Sequence, residues 1–138
     1  MERVDLPRVR EIARASLPEA WASEGFAGEL VASSSVCLVI GEPIVGYAIG
    51  SVVADELDVR SIAVDAAARR SGAGKLLLSA LIDRARDRGA TNAFLEVRAD
   101  NAAAIALYVR AGFARSGVRA RYYTDGTDAW LMASALAT

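Results

Sequence analysis

The chain is 138 residues long, enough for one hydrophobic core and not for two. Hydrophobic residues make up 54% and charged residues 24%, a globular composition, and a net charge of −1 argues against direct, salt-driven nucleic-acid binding. Histidine is absent and Cys37 is the only cysteine, which excludes an internal disulfide, a zinc site and a histidine-based triad. Acid–base chemistry must then come from carboxylates, tyrosines or water, with no metal.

At the N-terminus Glu2, Arg3 and Asp5 interrupt any apolar core of a signal peptide, so a cytoplasmic protein is expected. Leu6, Val9, Ile12, Ala13 and Leu17 recur at helical spacing, opened by Asp5 and Pro7, and predict a helix over 6–17. A second short helix follows, capped near Ser23 and running toward Ala32. The stretch from Val36 to Ala54 is apolar enough to suggest a membrane span, with Glu42 its only charge. Gly41-Glu42-Pro43 reads instead as a turn between strands Val36–Ile40 and Ile44–Val53, so no membrane partner is expected. Gly46 and Gly50 mark places where the second strand pairs weakly or is closely approached.

Glu56 to Val64 reads as a third strand. The clearest helix spans Gly72 to Arg88, with Leu77, Leu78, Leu81, Ile82 and Ala85 as its apolar stripe and Gly89 as its stop. Ala93–Val97 is a short strand, and Asn101–Ala111 is a helix ended by Gly112. Phe113–Ser116 and Ala129–Ala133 are strands around a polar loop at Thr124–Asp128. The order α-α-β-β-β-α-β-α-β-β implies one α/β (α+β mixed) domain over 1–138, a mixed sheet with helices on both faces.

Arg69-Arg70-Ser71-Gly72-Ala73-Gly74 lies between a strand and the start of the long helix. Free amides and the helix dipole there suit a pyrophosphate, and the arginines add forked donors. The bland alternative is a glycine-rich helix start with solvated arginines. Neither the P-loop ending nor the dinucleotide glycine spacing is present.

Ser61-Ile62-Ala63-Val64-Asp65, the Arg69-x-x-Gly72-x-Gly74 turn and the amphipathic helix after it resemble the signature of the GNAT superfamily of N-acetyltransferases. The resemblance implies a mostly antiparallel, splayed sheet with acetyl-CoA in its opening. It implies that Arg69, Arg70, Ser71, Gly72, Ala73, Gly74 and Lys75 hold the pyrophosphate. It further implies a bulge about Ile62, Ala63 and Val64 whose backbone meets the pantetheine arm. Ala66 stands where proline is usual, which loosens the turn without removing a ligand.

Leu95 through Tyr108, with Gly112-Phe113 and Arg121-Tyr122-Tyr123, is similar to the RimI type, bacterial enzymes that acetylate the N-terminal alanine of a ribosomal protein. That similarity runs from about Ser61 to Met132. Before it, Trp21-Ala22-Ser23 and Phe26 resemble an acceptor-pocket segment, with Ala22 inserted and proline displaced to Pro18.

Glu96 sits among Phe94, Leu95 and Val97, so partial desolvation and a raised pKa are expected of a base there; the alternative is a carboxylate facing water. The resemblance implies that it is the catalytic base. Tyr108, at helical spacing, reads as core by residue type, whereas the resemblance implies a hydroxyl that protonates the departing thiolate. Asn101 caps its helix or also holds the pantetheine arm.

An α-amine has a pKa of about 7.7–8.0 against about 10.4 for lysine, so it is the easier acceptor without histidine. Direct transfer to a normal glutamate is uphill by ~3.5 units, about 5 kcal/mol, which calls for a raised Glu96 pKa or a water relay. Tyrosine to thiolate is uphill by only ~1.5 units, about 2 kcal/mol. Attack is then direct, with backbone N–H near Ile62–Val64 polarising the thioester oxygen. Cys37, in an apolar strand, reads as structural.

Arg115, Arg119 and Arg121 before Tyr122-Tyr123 read as a solvated hairpin by composition; the resemblance implies that Tyr122 and Tyr123 line an acceptor channel. Asp125 and Asp128 belong to the turn. The leading expectation is therefore acetyl transfer to a protein N-terminus, a ribosomal protein among the candidates, by a monomer or weak homodimer. The alternatives are acetylation of a small amine and a non-catalytic CoA-binding module.

Overall fold

A computed structural model describes residues 1–16 and 23–136. Helix α1 runs over Leu6–Ser16 and α2 over Ser23–Val31. Pro18, Trp21 and Ala22, the displaced part of the expected acceptor-pocket segment, lie outside the described residues. Strands β1 (Ser35–Ile40) and β2 (Gly46–Val53) form the hairpin expected around Gly41-Glu42-Pro43. Gly41 takes φ +91° there, and a Cβ would lie 2.9 Å from the Pro43 carbonyl oxygen, so the turn requires glycine. Among the described residues no helix is long and apolar enough to cross a membrane.

Strand β3 spans Glu56–Val64, α3 Ala73–Asp87, β4 Asn92–Arg98, α4 Ala102–Arg110, β5 Ala114–Arg119 and β6 Ala129–Ala135. The six strands order as β1-β2-β3-β4-β6-β5, antiparallel throughout except for β3 beside β4. Period-two alternation builds two cores. Val36, Ala48, Leu57, Leu95 and Met132 face the leucine stripe of α3 and α4, while Tyr47, Ile49 and Ala63 face Val9, Ile12 and Ala13 of α1.

Gly46 and Gly50 are close-approach positions: an added Cβ would stand 3.0 Å from a Leu77 methyl at Gly46 and 2.8 Å from a Leu57 methyl at Gly50, with Leu81 at 3.1 Å. Missing side chains on β2 are what let α3 settle against the sheet.

Two irregularities shape the functional end. The parallel ladder joins Glu56–Val59 to Asn92–Leu95 and stops, after which β3 follows β2 to Val64 and β4 follows β6 to Arg98. The sheet therefore splays. The β2–β3 register also slips between Ile49, opposite Ser61, and Gly50, opposite Val59, so Arg60 is the extra residue. The bulge thus lies at Arg60 rather than at Ile62–Val64 as expected. It reverses the facing of β3, since Val59 packs toward α3 and Ala63 toward α1.

Candidate active site

Where β3 and β4 part, a cleft of about 570 Å³ opens, walled by Val59–Ile62 of β3, Glu96–Arg98 of β4, Asn101, Ala104 and Tyr108 at α4, and Tyr122–Thr124 of the loop before β6. It gathers both expected catalytic residues, both expected acceptor-channel tyrosines, and Ile62 and Asn101 of the expected cofactor set.

The β3 edge of the cleft is backbone. Asp65 donates its N–H to the Val45 carbonyl at 2.7 Å, which puts Asp65 on the β2 side. Alternation along the strand then turns Ala63 to the same side and the N–H groups of Ile62 and Val64 to the edge that β4 has left. Ala63 brings neither side chain nor amide to the gap, its side chain being buried against α1.

Glu96 shares its strand face with Phe94 and Arg98, whereas Leu95 and Val97 point to the α3 core. Its side chain is 36% exposed and meets Arg119 Nη2 through Oε1 at 3.5 Å. Of the apolar residues that flank it in sequence, Leu95 and Val97 lie on the opposite face of the sheet and Phe94 shares its own.

Tyr108 is buried, edge-on to Phe113 with ring centroids 5.9 Å apart. Burial, with smaller contributions from Tyr47 and Tyr123, pushes its hydroxyl well above the usual tyrosine range. The ~1.5-unit gap to a thiolate, reckoned for an ordinary tyrosine, is thus wider for Tyr108. Asn101 caps α4, its Oδ1 accepting from the Ala104 N–H at 3.2 Å, which leaves the amide nitrogen as what it can offer a ligand.

Arg98 ties the end of β4 to the loop. It pairs with Asp100 at 3.1 Å through Nε, with Asp125, and with Thr127 Oγ1 at 3.0 Å, and its guanidinium lies 4.8 Å from the Tyr123 ring centre. Asp125 also accepts from the Thr127 N–H at 2.9 Å, and Arg98 holds its carboxyl down to about 2. Asp128 accepts from the Arg121 N–H at 2.9 Å. Tyr122 and Tyr123 meet edge to face at 5.2 Å, with Arg119 5.6 Å from the Tyr122 ring centre.

Beyond β3, Asp65 accepts from the Ala67 N–H in a short 3-10 turn over Ala66–Ala68 and pairs with Arg8 of α1 at 2.6 Å. Arg8 also donates to the Ile44 carbonyl at 2.9 Å. Arg69 folds back, its Nε donating to the Val64 carbonyl at 3.3 Å. Arg70 and Gly72 take φ of +67° and +87°, and Gly72 caps α3. The first intrahelical bond runs from Leu76 N–H to Gly72 at 3.0 Å, so the amides of Ala73, Gly74 and Lys75 have no intrahelical acceptor. A Cβ on Gly74 would meet Leu107 and Val64 only at ordinary contact distance, so this turn adjoins α4 and the end of β3. Ser71 and the Arg69–Lys75 turn stand outside the cleft's own lining.

Cys37 lies on β1, two strands from the gap, on the α1 side; burial, then Glu29, pushes its thiol up. Sequence reasoning missed Arg60, Arg98 and the buried hydrogen bond of 2.7 Å between Tyr47 and Ser61. Arg98 was findable as the second residue after Glu96, hence on its face. Arg60 alternates with Leu57 and Val59 onto the face of Asp58, with which it pairs at 3.5 Å, but that this face borders the cleft follows only from the sheet topology.

The Acetyltransferase (GNAT) family matches residues 6–113. A [ribosomal protein bS18]-alanine N-acetyltransferase from Escherichia coli strain K12 is 40% identical over 139 aligned positions, covering 96% of this chain and 93% of that protein. The crystal structure of the Escherichia coli ribosomal-protein-S18-alanine N-acetyltransferase superposes with a TM-score of 0.90 at 37% identity, covering 100% of this chain and 92% of that one. Ard1 from Thermoplasma volcanium gives a TM-score of 0.91 at 28% identity, covering 100% of this chain and 95% of its own. The chain belongs to the GNAT family of acetyltransferases and is an N-acetyltransferase.

Proposed function

We propose that this enzyme transfers acetyl from acetyl-CoA to the N-terminal α-amine of a protein, a ribosomal protein N-terminus beginning with alanine being the favoured acceptor. The observation that carries the reading is the gap between β3 and β4, which gathers Glu96, Tyr108, Tyr122 and Tyr123 around one cleft. Similarity to relatives named for bS18-alanine acetylation supports the acceptor class.

The residues present fit acetyl-CoA: the amides of Ala73–Lys75 lack intrahelical acceptors, and Gly72 holds the left-handed backbone that presents them. Arg69, Arg70 and Ser71 complete that pyrophosphate turn, with Arg69 held on Val64. The Ile62 and Val64 amides and the Asn101 amide nitrogen serve the pantetheine arm. Acetyl-CoA supplies the acyl group as an activated thioester.

Glu96 accepts the acceptor's proton, through water given its exposure to solvent. About a tenth of an α-amine is already neutral near pH 7, whereas a lysine is charged by a further factor of several hundred. Tyr108 donates its proton to the leaving sulfur. Burial raises its pKa, and the same burial raises that of a thiol beside it, which narrows the mismatch. Tyr122 and Tyr123 line the acceptor channel, with the Arg98 guanidinium against the Tyr123 ring.

A thiol-release assay with acetyl-CoA and peptides starting Ala, Ser, Gly or Met, beside their N-terminally blocked forms, tests this. Release should require a free α-amine and fall at least about tenfold in Glu96→Gln and in Tyr108→Phe. Release with a small amine and with no peptide would leave an N-acetyltransferase of different acceptor.

A further inference from the structure

Glu96 and Arg119 do not face each other in register. Glu96 stands opposite Leu131 of β6, and Arg119 opposite Ala129, so the arginine reaches diagonally over β6 to make its contact. The two groups meet at 3.5 Å, looser than the 2.7–2.9 Å or so of a well-formed charged hydrogen bond, with side chains 53% and 36% exposed. Such a contact adds little to folding. Arg119 also has a second resting place, the Tyr122 ring 5.6 Å away.

Other charges crowd the same rim. Arg60 pairs with Glu29 of α2 at 3.0 Å and with Asp58 at 3.5 Å. The Asp58 carboxyl is pushed up by burial, against the pull of Arg60, with Glu96 and Glu29 adding to the push. Glu29, Asp58 and Glu96 thus stand among Arg60 and Arg119, so carboxylates and guanidiniums share one rim.

We propose that Arg119 is a positioning residue of the acceptor site: its guanidinium holds the place beside Glu96 in the empty enzyme and yields it to the acceptor's α-ammonium. The proposal rests on the reading of Glu96 and Tyr122 given above. The exchange is one cation for another at the same carboxylate. It costs little because the displaced guanidinium stays on the Tyr122 ring and in water. Arg119 is in this sense a built-in competitor that weak amines must displace.

The test is steady-state kinetics with acetyl-CoA and an alanine-starting peptide for wild type, Arg119→Ala, Arg119→Lys and Glu96→Gln. Arg119→Ala should lower the peptide KM about two- to fivefold, the scale of an exposed ion pair, and leave the acetyl-CoA KM unchanged. Arg119→Lys, which keeps the cation, should stay within about twofold of wild type. Added methylguanidinium should raise the peptide KM of Arg119→Ala competitively back toward the wild-type value, with a much smaller effect on wild type. A peptide KM in Arg119→Ala that is unchanged or raised, or that is indifferent to methylguanidinium, overturns the proposal while Glu96→Gln remains impaired by at least about tenfold. A wild type that turns over no peptide, or a fully active Glu96→Gln, overturns the acceptor reading and this proposal together.

Discussion

Arg98 gives shape to the side of the cleft that carries Tyr122 and Tyr123. One guanidinium joins β4 to the loop through Asp100, Asp125 and Thr127 and still covers Tyr123. Asp125 is the partner whose ionisation can be followed, because its carboxyl is held at about 2 in the folded protein by Arg98 first and by Thr127 second. A lowered folded pKa means that this contribution to stability is present above the ordinary carboxylate range, near pH 4, and is lost as pH falls through about 2. Thermal melts of wild type and Asp125→Asn should therefore differ at pH 6 and converge on acidification toward pH 2. A constant difference across that window would assign the effect to the backbone turn instead. At this scale the sequence was only half legible. Glu96 and Tyr108 were visible as residue types in a motif, but their environments were not. Glu96 lies beside Leu95 and Val97 in the chain, yet these pack on the opposite face of the sheet, and its carboxylate meets Arg119. Helical spacing reads Tyr108 as core, but only its surroundings show how far burial carries its hydroxyl above an ordinary phenol.

Elements were the most legible part, because periodicity and glycine punctuation state them directly. The α3 stripe and the third strand lie where alternation and helical spacing put them, and β5 and β6 simply run on to Arg119 and Ala135. The two glycines of β2 were legible as a signal but not as a cause, which is the arrival of α3. Gly50→Ala should destabilise the fold by about 1–3 kcal/mol in urea unfolding, since the added methyl meets Leu57 and Leu81 inside a filled core. An unchanged midpoint would mean that α3 has room to retreat. The clasp from α1 to the end of β3 could not be read at all, because Arg8 and Asp65 are far apart in sequence. Arg8→Ala, which frees Asp65 and the Ile44 carbonyl, should raise the KM for acetyl-CoA severalfold and leave the peptide KM unaltered. Equal changes in both would point to a general loosening.

On the scale of the whole molecule, function follows from one topological event. A single parallel pair, β3 beside β4, sits in an otherwise antiparallel sheet, and its ladder ends at Val59 and Leu95. From there each strand keeps only its outer neighbour, so the inner edges carry backbone groups and side chains into a common gap. The Arg69–Lys75 turn and α3 follow β3, while the loop with Tyr122 and Tyr123 precedes β6, so the sides proposed for donor and acceptor come from different elements. The sequence pointed to a mixed sheet and, through its resemblance, to the splay. The bulge position needed the register itself, because Glu56, Asp58 and Arg60 alternate with Leu57 and Val59 as in a regular strand.

The central claim is that the group acetylated in this gap is an N-terminal α-amine. The most direct measurement is mass-spectrometric location of the acetyl group on a peptide that begins with alanine and carries one internal lysine, incubated with enzyme and acetyl-CoA near pH 7. Acetylation of the α-nitrogen is expected, lost when that nitrogen is blocked and strongly reduced in Glu96→Gln. Acetyl found on the lysine side chain, or persisting on the blocked peptide, would contradict that claim.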